Sequence, residues 1–93
     1  MISYASIDRI EGNFAVCEIE KIEIEKSKTT DYFEKETEMI DVSLEEIQRS
    51  VGEVYEGDII VVEHNGTNVI CIYYKDNEEK QRRIDCLKEI LGK

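Results

Sequence analysis

Three residue types in this chain could do chemistry: one histidine, His64; three cysteines, Cys17, Cys71 and Cys86; and 22 carboxylates. Nucleophilic catalysis needs a nucleophile, a base and an orienting group held together. A lone His beside an Asn65-Gly66 turn signal, with no Gly-x-Ser-x-Gly and no Cys-x-x-Cys, nominates no triad. His64 reads as a turn residue. The cysteines are odd in number and lie 54 and 15 residues apart, which argues against a disulfide framework or a structural zinc site. Each has apolar neighbours in a strand or helix segment, so all three read as buried free thiols in a reducing compartment; the cytoplasm is the expected location. The acids are too numerous for any pair to stand out as general acid and base, and no EF-hand, Walker or dinucleotide-binding glycine pattern occurs. The expectation is a protein that is not an enzyme, with no catalytic residue, no cofactor and no metal.

Charge narrows the class further. Twelve basic and 22 acidic residues among 93 give a net charge of −10. Phosphate binding relies on clustered Lys and Arg, so nucleic acid is not an expected partner. A hydrophobic fraction of 41% is too high for a disordered acidic tail, and the length suits a single domain, 1–93. No apolar run approaches the ~18 residues of a membrane span, and Met1–Arg9 lacks a basic stretch followed by an apolar one. The charge is uneven: residues 1–63 carry 17 acids and 6 bases, whereas 64–93 carry 5 acids and 6 bases, including Lys80, Arg82 and Arg83. Such a surface either keeps a small protein soluble, as a monomer or weak homo-oligomer, or docks it on a basic partner.

The elements that must position these residues follow from pattern. Ile2 to Ile10 and the apolar run Phe14 to Ile19 flank Glu11-Gly12-Asn13 as a hairpin. Beyond Ile19 the apolar parity changes, with Ile22 and Ile24 in phase with Phe14 and Val16, which predicts a bulge near Glu20-Lys21 in a continuing strand. Lys26 to Glu38 is polar except for Tyr32-Phe33 and reads as a protruding loop. Two adjacent aromatics there are either a partner anchor or rings folded back on the body. Met39 to Val42 forms a short strand before a capping box at Ser43 and Glu46, with Val42 and Ile47 as its staple, so a helix covers 44–51 before Gly52. Glu56-Gly57-Asp58 turns the chain into Ile59–Glu63, and Asn65-Gly66 sends it back through Val69–Tyr74. Asp76 caps a last helix, which carries the stripe Ile84, Leu87, Leu91, widened by Ile90, and the i,i+4 pairs Glu78–Arg82 and Glu79–Arg83.

The sum is a mainly β fold with α: a five-stranded SH3-like or OB-like barrel body over 1–75, with the connector helix 44–51, and a C-terminal helix over 76–92. The C-terminal stripe is expected to be core, covering an open end or edge of the barrel; only on an already sealed barrel would it point outward to a partner or a second copy. The strand segments offer Tyr4, Tyr73 and Tyr74 for an oligonucleotide to stack on, but few bases beside them.

Three stretches together resemble the DUF3006 family, a bacterial domain of unknown function. They are Ile7-Asp8-Arg9-Ile10-Glu11-Gly12-Asn13-Phe14-Ala15-Val16, then Glu56-Gly57-Asp58-Ile59-Ile60, then the charged helix from Glu78 to Leu91 with Arg82-Arg83 before its stripe. The chain departs from that pattern in a longer segment from Lys26 to Glu38 and in having no proline. The resemblance implies a small protein of Gram-positive bacteria or their prophages without established catalytic residues. It also implies a possible partner: a cell-wall hydrolase (endolysin) or lysis factor of a prophage lysis module. The expected function is an acidic protein-binding adaptor or regulator whose partner-facing residues are Tyr32, Phe33, Arg82 and Arg83. The alternative is an acidic nucleic-acid mimic that inhibits a DNA-binding or restriction protein.

Overall fold

The computed structural model describes residues 1–30 and 34–91. The strands are β1 (Ile2–Glu11), β2 (Phe14–Glu20), β3 (Thr37–Ser43), β4 (Ile59–Asn65) and β5 (Asn68–Lys75); the helices are α1 (Ile24–Ser27), α2 (Leu44–Val51) and α3 (Asn77–Leu91). All pairings are antiparallel, in the order β3-β2-β1-β4-β5.

Local chemistry sets most of these elements. Gly66, at φ +61°, supplies the left-handed residue in a two-residue loop, and Asn65 pairs with Asn68 to close the ladder instead of entering the turn. The Ser43 hydroxyl accepts the amide of Glu46 at 3.4 Å, and Val42 and Ile47 meet in the core as the staple pattern predicts. The carboxylate of Asp76 accepts the amide of Glu79 at 2.9 Å and opens α3.

The main core lies on one face of the sheet. Alternation brings Ala5, Ile7, Ala15, Cys17, Ile19, Ile40, Val42, Ile60 and Val62 to that side, where Ile47 of α2 and Val54 pack on them. A register shift between Ile7 and Arg9 lets both Ile7 and Ile10 point inward, so the bulge falls in β1 and not near Glu20-Lys21.

Four expectations change. The strand predicted through Ile22 and Ile24 gives way to the single turn α1, because the backbone leaves the sheet after Glu20. The five strands do not close into the expected SH3-like or OB-like barrel: among the described residues β3 and β5 are edges, and α2 spans between them, touching β2, β3 and β5. Cys17 is buried as expected, but Cys71 and Cys86 are exposed, since each lies on the outer side of its element. The stripe on α3 is not core; every residue from Ile84 to Leu91 is exposed apart from its own helix.

Candidate functional site

The second face of the sheet is where charged groups gather. Even-numbered residues of β1 and β2 and odd-numbered residues of β4 point there: Tyr4, Ser6, Val16, Glu18, Glu20, Ile59 and Val61. Only Tyr4, Ile59 and Val61, with Ile24 against them, form an apolar cluster. Ions supply the rest.

Glu20, at the end of β2, is buried. Its carboxylate accepts the Ser27 hydroxyl at 2.6 Å, with Lys35 Nζ at 3.8 Å and Arg83 Nη2 at 2.8 Å. Glu79 of α3 is buried beside it and accepts Nε and Nη2 of Arg82 at 2.8 and 2.6 Å, and Nε of Arg83 at 2.6 Å. The Arg83 guanidinium lies over the Tyr4 ring, 5.2 Å from its centroid, within cation–π range. Arg83 Nη2 meets Glu20 as an ion pair but off the angle of a hydrogen bond. One guanidinium thus joins β1, β2 and α3.

A second ionic tie sits at the Glu56-Gly57-Asp58 turn. Buried Asp58 accepts the amide of Tyr55 at 2.8 Å and Lys80 Nζ at 2.7 Å, with Lys75 at 4.0 Å. Burial pushes the Asp58 and Glu79 carboxyls up, but in each the basic partners prevail and hold the acid below its ordinary range; Lys80 does so for Asp58, Arg82 and Arg83 for Glu79. Burial lowers Lys35 against the pull of Glu20. Tyr4 is pushed up to about 12, by burial first and then by Glu79 and Asp76. These groups satisfy one another, and their chemistry is attachment: they fasten the N-terminal half of α3 to the sheet.

A groove of about 570 Å³ opens on the same face beside α1. Its lining is Ile2, Ile24 and Val61, the aromatic Tyr73 and Tyr74, and the acids Glu23 and Glu25. The Tyr73 hydroxyl donates to Glu63, which together with partial burial pushes it up to about 12, so the ring stays a neutral phenol. Among the described residues, no three His, Cys, Asp or Glu side chains come together as metal ligands would.

The residues singled out from sequence fare differently. Arg82 and Arg83 are brought together by Glu79, but Arg83 is largely withdrawn into the ionic layer while the Arg82 side chain stays half exposed. Tyr32 and Phe33 lie outside the described residues. His64 is not a turn residue: it is buried near the end of β4, with Nε2 2.9 Å from Ser3 Oγ and Nδ1 2.9 Å from the Gly66 carbonyl. Glu20 and Glu79 escaped notice as buried acids. Their signals were faint: Glu20 is in phase with Val16 on β2, and Glu79 precedes Arg82 and Arg83 at i,i+3 and i,i+4 spacing.

No helix among the described residues is long and apolar enough to cross a membrane. In comparisons with known proteins, the chain matches no family model, no curated protein and no solved structure.

Proposed function

We propose that this chain is a non-enzymatic adaptor or regulator that binds another protein. The observation that carries the reading is the free end of α3. Leu87, Ile90 and Leu91 are 60%, 61% and 77% exposed, and Ile84 extends the row inward. A contiguous apolar helix face held in water is a common mark of a docking surface. The charge of −10 favours a basic partner by steering its approach. Arg82, half exposed on the same helix, and Tyr32-Phe33 belong to the proposed binding residues. We place the protein in the cytoplasm, where free Cys71 and Cys86 persist as thiols. Any SH3-like or OB-like kinship takes an open form, with α2 between the edge strands.

The DUF3006 resemblance supplies the partner to try first, a cell-wall hydrolase or lysis factor. Purified hydrolase is titrated against this chain by calorimetry at low salt. Leu87→Glu with Leu91→Glu is expected to weaken binding at least about tenfold, since two buried anchors are each worth on the order of 1 kcal/mol or more. An unchanged affinity in a variant with unaltered circular dichroism would remove the helix from the interface. The nucleic-acid-mimic alternative needs carboxylates at phosphate-like spacing along one face. The exposed acids here belong to several elements, and Glu11, Glu38 and Glu45 are paired with Arg9, Lys21 and Arg49.

A further inference from the structure

We infer that the groove beside α1 receives an arginine side chain presented by a partner protein. The inference rests on the protein-binding reading and adds a second surface to it. The groove's lining combines aromatic and apolar residues with Glu23 and Glu25, and no base stands among its described lining residues. Cations are what such a lining selects. Tyr73 and Tyr74 line the groove and are half exposed, so their rings are within reach of a ligand there. Tyr73 is fixed by its bond to Glu63, and Glu23 is held by the Ile2 amide at 3.3 Å. Part of the site is therefore ordered before any ligand arrives.

Shape and composition point to arginine on a peptide, not a free ion. At about 570 Å³ the groove exceeds one cationic head and has room for a stem and flanking residues. Ile2 and the half-buried Ile24 offer apolar surface for a methylene stem while the head reaches Glu25 and the rings. Guanidinium stacks on aromatic faces and is more weakly hydrated than ammonium, so it loses less than lysine on entering.

The test uses the whole chain, isotope-labelled, titrated by NMR with the capped peptide Gly-Ser-Ile-Arg-Val-Ser-Gly and with copies carrying lysine or citrulline in place of arginine. The arginine peptide is expected to move the amides of Ile24, Val61, Tyr73 and Tyr74. Lysine should bind about threefold more weakly, and neutral citrulline about tenfold. Glu23→Gln with Glu25→Gln should cost about tenfold, Glu25→Gln alone about threefold, and raising salt from about 20 to about 200 mM about threefold. Equal binding of the citrulline peptide, shifts confined to other residues, or no shifts at millimolar peptide overturns the inference. So does a groove that responds only to protein concentration, which would make the occupant a second copy. Leu87→Glu with Leu91→Glu should leave peptide binding unchanged. If that variant loses the hydrolase while no peptide binds, the groove fails and the helix reading stands. Arginine-dependent peptide binding without hydrolase binding leaves the groove standing and removes that partner.

Discussion

The two faces of the sheet are closed by different means. Under α2, Ile47 and Val54 cover a layer built almost wholly of aliphatic side chains, whose attraction is non-directional. On the other face, Glu20, Glu79, Lys35 and Arg83 fill the layer beneath α3, where each charge has been taken from water and depends on its partners. An apolar cover tolerates small shifts. An ionic one holds a helix in a single position but only where the charges are. Among the described residues the C-terminal half of α3 has no such partners, and its apolar row faces solvent.

Breaking the comparison starts with the larger effect. Ile47 is fully buried and is the one buried residue of α2. Ile47→Ala should cost about 3 kcal/mol, from lost burial plus the cavity left behind, read as a lower urea midpoint. Glu79→Ala should cost about 2 kcal/mol, because it strands the mostly buried Arg83 beside a single remaining acid. Replacing Glu79 and Arg83 together with methionine should cost less than Glu79→Ala alone, since buried Glu20 keeps Lys35 and the half-exposed Arg82 reaches water. If the double replacement costs the sum of its two single changes, the ionic layer is not a coupled network and the contrast between faces collapses.

Much of the fold is legible in sequence because it is written locally. Gly66 acts through its own left-handed backbone, and Ser43 and Asp76 each accept an amide three residues on, so their effects are set within a few residues. The ionic face is not local. Glu20 meets Ser27, Lys35 and Arg83, and only the folded sheet brings residues so far apart in the chain together. The same limit hid the fate of Ile22 and Ile24: a period of two predicts a strand, but Glu20 and Ser27 bond each other when the chain turns back. The α3 stripe misled for the opposite reason. Its helical period is real, but periodicity shows which residues share a face and not what covers it.

Acid separates the faces next. The carboxyls of Asp58 and Glu79 are held below their ordinary range in the fold. In the unfolded chain they return to ordinary values of about 4, so between the two values the unfolded state binds more protons. Their contribution is present above about pH 4 and is lost as pH falls through the depressed values. Alkali works in the other direction through Cys17 on the apolar face. Burial, with a smaller effect of Asp41, pushes that thiol up to about 12, against about 8.5 when unfolded. Stability is fully present below about pH 8.5 and declines above it, by about 2 kcal/mol at pH 10. Glu79→Gln should flatten the acid limb of a stability–pH curve and leave the decline between about pH 8.5 and 10 in place; Cys17→Val should remove that decline and leave the acid limb intact. Ile47→Ala should lower the whole curve without altering either slope.

The smallest effect carries no change in stability at all. Thiolate, not thiol, attacks a disulfide reagent, and it must reach solvent to do so. Cys17 is buried under the apolar cover, whereas Cys71 and Cys86 are exposed on β5 and α3. Native protein at pH 8 should therefore release two equivalents of chromophore from an aromatic disulfide promptly, and a third at a rate set by opening of the fold. Ile47→Ala should speed that third equivalent in proportion to its loss of stability, about 100-fold for 3 kcal/mol, if opening is global. Glu79→Ala should speed it about 30-fold if opening is global, and hardly at all if α3 detaches without disturbing the apolar layer. A third equivalent as fast as the first two would show that α2 does not close its face, and the asymmetry between the two covers would be lost.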